Sequence, residues 1–304
     1  MKLTCVTATF NCIKAGNRER LVRCVESVAK LKTEHEHLIY DGASKDGTAE
    51  LLRELEAKTP GLKVVSEPDT GLYNALNKGV RDASGEWFYV LGADDYIENP
   101  EVMDAIIEDE SVETQLIITP VATEKPDGTK GPVRFEDMRE LKWFLNRCVC
   151  NHQGELMKTF LVRDLGNEVG HSGFDERYRI SADTDMLLRA HLKAVPIHYV
   201  FKSFACFHLG GLADSNVEIA KKEDLDSFSR ALSLNKRQTA YYVKRNYFPI
   251  CVSLRLASHP DLAVRIAAKD MVKCWVMDVL RVIFWPVLIV RRRIRALRRA
   301  RFER

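Results

Sequence analysis

The feature that most constrains this chain is the alternation of short apolar runs with helical patterns through its first 120 residues. Runs bounded by turn residues at 3–9 (LTCVTAT), 36–41 (EHLIYD), 62–66 (LKVVS), 86–91 (EWFYVL) and 115–119 (QLIIT) read as strands. Helical periodicity fills 17–31, 46–58, 72–83 and 100–109 between them. Leu21, Val25, Val28 and Leu31 share one face of the first helix, and Leu72, Leu76 and Val80 one face of the third. Such alternation selects an α/β fold with a mainly parallel sheet covered by helices on both faces. Ligands of such sheets sit beyond the carboxyl ends of the strands, so chemistry is sought there.

Those ends are unusually polar. The first strand runs into Thr9-Phe10-Asn11, the second into DGASKDGT (41–48), the third into Glu67-Pro68-Asp69-Thr70-Gly71, and the fourth into Gly92-Ala93-Asp94-Asp95. Any one of these suits a turn or a helix cap, because Asp, Asn, Ser and Gly favour both. Four in succession at one edge point to a ligand. The fingerprint G-x-G-x-x-G is missing after the first strand, which disfavours a dinucleotide-dependent dehydrogenase. Gly42 to Thr48 has the glycine spacing of a P-loop, yet Thr48 stands where the phosphate-binding lysine belongs. An acidic edge holds a polyphosphate only through a cation. Asp94 and Asp95 suit Mn²⁺ or Mg²⁺, which take carboxylate oxygens and keep positions for water or phosphate. The residues thus imply a metal-bridged nucleotide diphosphate.

Further motifs follow in order: Asn151-His152-Gln153, GFDERY (173–178), SADTDMLLR (181–189) and HLGG (208–211). With EPDTGLYNALNKG (67–79) and LGADD (91–95), the series resembles the family 2 glycosyltransferases over roughly residues 1–215. It looks closest to the bacterial exopolysaccharide, colanic-acid-type branch. The resemblance implies a GT-A fold: a mainly parallel, Rossmann-like sheet flanked by helices, here with a C-terminal helical extension. It implies inverting transfer from a nucleotide-diphosphate sugar, most often a UDP-sugar, to a lipid-linked glycan acceptor. Carried over residue by residue, Thr9, Phe10 and Asn11 would hold the nucleotide, with the Phe10 ring on the base. Asp41 would accept a hydrogen bond from the base edge, and Asp69 and Asn77 would line the nucleotide and sugar side. Asp94 would contact the ribose or metal, and Asp95 would be the main protein ligand of Mn²⁺ or Mg²⁺. The family's D-x-D has Ala93 at its first position here. His152 and His208 would lie on the acceptor or sugar side.

Inverting transfer needs a carboxylate to take the acceptor's proton. Asp183 and Asp185 open a helical pattern at 183–194 whose apolar face is Met186, Leu187 and Ala190. They lie about 200° apart around the axis, so one site cannot use both. The family pattern places the base at Asp183, leaving Asp185 as a first-turn carboxylate favoured by the helix dipole.

The net charge of +3 conceals an asymmetry. Residues 281–304 hold nine Arg and one Glu, whereas the first 280 residues carry 37 basic and 42 acidic side chains. Trp275, Phe284 and Trp285 accompany an apolar run at 282–290 of nine residues, too short for the roughly 20 of a spanning helix. The expectation is a basic amphipathic tail on an anionic membrane surface, with no nucleic-acid partner for an otherwise acidic body. Eight cysteines without a disulfide framework, and no secretory signal, point to the cytoplasm. The expected organisation is a catalytic domain at 1–215, a helical extension at 216–274 and a membrane-interface tail at 275–304. The enzyme would then be peripheral on the inner face of the plasma membrane. Two other readings stay open. One is a sugar-phosphate nucleotidyltransferase, which would need a basic glycine-rich loop after the first strand. The other is a non-catalytic membrane-tethered scaffold.

Overall fold

The computed structural model describes residues 1–109, 113–134, 152–245 and 250–259, with scattered positions from 265 to 279. Strands β1 (Leu3–Thr9), β2 (His35–Asp41), β3 (Leu62–Ser66) and β4 (Trp87–Val90) alternate with helices α1 (Arg18–Val28), α2 (Thr48–Glu56) and α3 (Leu72–Asp82). After β4 come β5 (Tyr96–Ile97), α4 (Pro100–Glu108), β6 (Leu116–Ile118), β7 (Val121–Glu124), β8 (Glu155–Lys158) and α5 (Thr159–Val169). Then follow α6 (Ala182–Leu192), β9 (Ile197–Tyr199), β10 (Ala205–His208), α7 (Leu212–Ser215) and α8 (Val217–Ala231). The main sheet has the order β3-β2-β1-β4-β8-β6-β9. Its β1–β4 half is wholly parallel, and β8 runs antiparallel between β4 and β6. A smaller sheet, β5-β10-β7, lies apart from it. The expected α/β class and mainly parallel sheet are what the structure shows.

The burial follows the sequence. Strand β1 is an unbroken apolar and threonine run because it is paired on both edges and covered on both faces. Edge strand β3 alternates and leaves Lys63 and Val65 exposed. One side of the core gathers Leu3, Trp87, Tyr89, Ile117, Leu156 and Phe204, and another Leu21, Val25, Ile39, Leu51, Leu52 and Leu62. Helix α3 approaches β1 so closely that a Cβ on Gly79 would meet Val6 Cγ1 at 2.4 Å. Glu36 staples the far end of the sheet. It accepts hydrogen bonds from Thr4 Oγ1 (2.8 Å), Ser84 N (2.8 Å) and Ser84 Oγ (2.7 Å), and Lys63 Nζ lies 2.9 Å away.

Two compact units emerge. The first holds the described residues up to Ser233, both sheets included. The second begins at Leu234 and contains α9 (Lys236–Arg245) and α10 (Ile250–Leu256), with Val252, Leu256, Ala268 and Met271 buried. The apolar and basic tail at 281–304 and Asn151 lie outside the described residues. Among the described residues, no helix is long and apolar enough to cross a membrane.

Candidate active site

Three strand ends build an open slot. Strand β1 stops at Thr9, and Asn11 turns the chain with a φ of 48°, a left-handed conformation that asparagine tolerates. Phe10 is left 64% exposed, far more than an aromatic seeking a core. Facing it is Gly42, after β2. A Cβ there would lie 3.1 Å from Phe10 Cδ2 and 2.7 Å from Asp69 Oδ2. The slot therefore has an aromatic wall and an acidic wall, and it depends on a residue without a side chain between them.

Asp41 supports this slot from beneath. It is 1% exposed, and its carboxylate accepts hydrogen bonds from Ser44 N (3.0 Å), the Ser44 hydroxyl and Ser66 Oγ (2.6 Å). Ser44 Oγ in turn accepts from Asn11 N at 2.7 Å, and Asn11 Oδ1 from Lys45 N at 3.2 Å. Asp41 and Asn11 thus knit the two loops together, with Asp41 placed directly beneath the slot. Asn77 is likewise engaged within the protein. It is 1% exposed, and its amide donates to Phe174 O and Glu176 Oε1, both at 2.9 Å, while Oδ1 accepts from Phe174 N at 2.7 Å. With its donors and acceptor engaged, Asn77 reaches a ligand only through the 174–176 loop.

The next strand end carries the paired carboxylates. Asp95 is buried, accepting from Gln153 Nε2 (2.6 Å) and from the backbone N of His208 (2.7 Å). Burial, and then the charge of half-buried Asp94, raise its pKa well above the usual carboxylate range despite those hydrogen bonds. His208, expected on the acceptor or sugar side, lies beside this pair. Its buried Nδ1 makes no hydrogen bond and is 4.0 Å from Glu124 Oε1, itself held by Arg23 at 2.7 Å. Burial lowers the His208 pKa, so the ring is favoured as a neutral donor atom. No three His, Cys, Asp or Glu side chains among the described residues form a ready-made cage.

Asp183 stands in the first turn of α6 with 17% of its side chain exposed. Tyr73 Oη shares its one hydrogen between Ile180 O (2.5 Å) and Asp183 Oδ1 (3.0 Å), the N–H of Thr184 donates to Oδ1 at 2.9 Å, and His152 Nδ1 is 3.1 Å from Oδ2. Burial works against the imidazolium of His152, yet the hydrogen bond and charge of Asp183, with Asp95 and Glu155, raise its pKa. Asp185 points elsewhere, as the 200° argument requires: it pairs with Arg189 (2.7 Å) and accepts from Ser227 Oγ (2.7 Å). A small cleft, with Phe88, Val90, Met157, Val162, Phe174 and Met186 in its walls, opens beside His152 and Asp183.

Sequence reasoning missed the brace under α6. Glu223 on α8 accepts from the backbone N–H groups of Arg179 (2.8 Å), Ile180 (2.8 Å) and Ser181 (3.0 Å). Nothing in the helical pattern around it signals that role. Tyr73 and Gln153 lay inside quoted motifs, but a motif string does not say which of its members touch.

The comparisons agree with this geometry. A family model described as Glycosyl transferase family 2 matches residues 4–164. An uncharacterized glycosyltransferase of Mycobacterium tuberculosis is 29% identical over 199 residues, covering 63% of this chain and 70% of its own. A PGL/p-HBAD biosynthesis glycosyltransferase of Mycobacterium bovis is 27% identical over 234 residues, 74% of this chain and 85% of its own. Among solved structures, S. aureus TarS 1-349 in complex with UDP-GlcNAc matches with a TM-score of 0.56 at 17% identity, over 90% of this chain and 92% of that one. Of a longer TarS chain, the match covers 40%. The mannosyltransferase PcManGT from Pyrobaculum calidifontis, in complex with GDP-Man and Mn²⁺, matches with a TM-score of 0.54 at 14% identity, over 91% and 75%. At such identities the fold is what is shared, and it is the GT-A fold.

Proposed function

Because the chain belongs to glycosyl transferase family 2, we propose that it is an inverting enzyme moving the sugar of a UDP-sugar to a lipid-linked glycan in bacterial surface-polysaccharide synthesis. The observation that carries this reading is the meeting of two functions on one turn. His152 touches Asp183, and its neighbour Gln153 touches Asp95. A proton acceptor and the carboxylates suited to a diphosphate are thereby brought to the same place, which transfer between two substrates requires.

The residues at Asp95 fit a divalent cation. Two adjacent carboxylates, one buried and raised in pKa, are groups that a cation would satisfy. Asp95 and Asp94 would hold Mn²⁺ or Mg²⁺, with phosphate oxygens and water as its further ligands. Bound there, the ion would supply positive charge to the departing nucleoside diphosphate.

In this reading, Phe10 stacks on the nucleobase and Asp69 lines the nucleotide and sugar side. Asp183 accepts the proton of the acceptor hydroxyl as that oxygen bonds to the anomeric carbon. The bond from that carbon to the diphosphate oxygen breaks on the opposite face, so the configuration inverts. Asp41 and Asn77 act by holding the loops that shape the pocket. The proposal includes peripheral attachment to the cytoplasmic face of the plasma membrane through the tail at 275–304, supported by its nine arginines and apolar run. Thermal-shift titration with UDP, GDP and TDP, with and without Mn²⁺, tests the donor. Ligand at about 100 times its Kd adds roughly 2.7 kcal/mol to the folded state, a readily measured shift. Stabilisation by GDP or TDP but not by UDP refutes the uridine assignment.

A further inference from the structure

The three-residue turn His152–Gly154 is held more firmly than a connecting loop requires. Tyr89 Oη donates to the carbonyl of Gln153 at 3.0 Å, and Thr119 donates to the carbonyl of Gly154 from both its backbone N (2.8 Å) and Oγ1 (3.2 Å). Gln153 Nε2 is committed to Asp95. An anchored turn places the His152 ring with little freedom, and that ring meets Asp183 Oδ2 at 3.1 Å. An ionised carboxylate only accepts hydrogen bonds, so Nδ1 carries the hydrogen.

We propose that His152 is the positioning residue of Asp183, its Nδ1–H fixing the rotation of the carboxylate that receives the acceptor's proton. The inference rests on Asp183 as the base and goes beyond it in naming the group that aims it. Oδ1 is already held by Tyr73 and by the N–H of Thr184. The single hydrogen of Tyr73 Oη is shared with the carbonyl of Ile180, which lies closer at 2.5 Å, so Oδ1 is weakly held and the carboxylate keeps some freedom to rotate. The contact from His152 to the second oxygen removes that freedom and leaves the remaining lone pair of Oδ2 for the acceptor hydroxyl. Because Gln153 holds Asp95 from the same turn, the side chains that reach the base and the donor carboxylate spring from adjacent residues of one anchored backbone segment. Misplacement by about 1 Å in such a constellation costs on the order of 10²-fold in rate.

The test compares His152→Ala, His152→Asn and His152→Gln in the full chain, using UDP release from whichever of UDP-glucose or UDP-N-acetylglucosamine the wild type turns over. The amide nitrogen of Asn falls near Nδ1 of the imidazole, whereas that of Gln falls near Nε2. Expected are a 10–100-fold loss of kcat in the Ala and Gln variants, recovery to within about threefold in the Asn variant, and a donor KM within twofold throughout. Unchanged Mn²⁺-dependent UDP affinity shows that Gln153 still holds Asp95. Equal impairment of folded Asn and Gln variants overturns the proposal, as does an Ala variant within twofold of wild type. If the Ala variant does not fold, the contrast between Asn and Gln decides alone. Full activity of Asp183→Asn is a different failure, that of the base assignment itself.

Discussion

On the proposed reading Phe10 and Gly42 shape the donor slot as a pair, and each gives a sharp expectation. Base stacking on an aromatic ring contributes about 1–3 kcal/mol, so Phe10→Ala should weaken UDP binding about 10–100-fold by calorimetry while leaving the melting temperature nearly unchanged. Gly42→Ala should weaken it as well, because the added methyl enters space bounded by Phe10 and Asp69 at 3.1 and 2.7 Å. The two carboxylates of α6 separate function from structure. Asp183→Asn should lower turnover about 10²–10⁴-fold with UDP affinity unchanged. Asp185→Asn should instead lower stability, through loss of the Arg189 and Ser227 contacts, and a large turnover defect confined to Asp185→Asn would reverse the assignment. Glu36 predicts a pH dependence. Against the desolvation of its site, hydrogen bonds from Ser84, Lys63 and Thr4 bring its pKa from an ordinary 4.5 to about 2. A depressed carboxylate stabilises the fold above the unfolded-state value and loses that contribution as pH falls. Stability should therefore decline between about pH 4.5 and 2, and Glu36→Gln should flatten that decline at a cost of about 1–2 kcal/mol near neutrality. Chemical denaturation across that range measures both. At this scale residue type and position pointed to Asp94 and Asp95, whereas the roles given to Phe10 and Asp183 came with the family resemblance. The internal partners of Asp41 and Asn77 were not legible, because hydrogen bonds made within the protein and to a ligand demand the same side chains.

Among elements, legibility tracked apolar runs. The strands β1 to β4 and β6 and the helices α1 to α4 were read within a few residues, because an apolar run or an apolar face bounded by turn residues marks each of them. Strands β5, β7, β8, β9 and β10 span two to four residues each, and no such run marks them. Yet β10 delivers His208 to Asp95, so part of the site rests on an element that pattern alone does not show. The same holds for α8. Its sequence reads as an ordinary surface helix, but Glu223 ties down three successive backbone N–H groups just before α6. Glu223→Ala should leave those donors without their partner, at about 1–3 kcal/mol of stability. It should also reduce kcat more than UDP affinity, since the loosened segment carries Asp183 and not Phe10. Thermal melts paired with UDP titration separate the two effects, and a variant that loses UDP affinity in step with kcat would contradict the brace.

For the whole molecule, the decisive contrast is between an acidic body and an arginine-rich end. Removal of 275–304 takes away nine Arg, Asp278 and Glu303, and moves the formal charge from +3 to −4. Each arginine near an anionic surface contributes on the order of 1 kcal/mol, and salt weakens that attraction. The full chain should sediment with vesicles containing anionic lipid, less so at high salt, while the truncated chain stays in the supernatant and still releases UDP. Equal sedimentation of both would assign membrane contact to another surface. The sheet order carries a consequence of a different kind. The slot residues Phe10, Gly42 and Asp69 all arrive before β4, and His152 and Asp183 arrive only after β7. On the proposed reading, the walls of the nucleotide slot and the carboxylate that activates the acceptor are thus written in separate stretches of the gene. A single crossover between them could pass on one preference while exchanging the other.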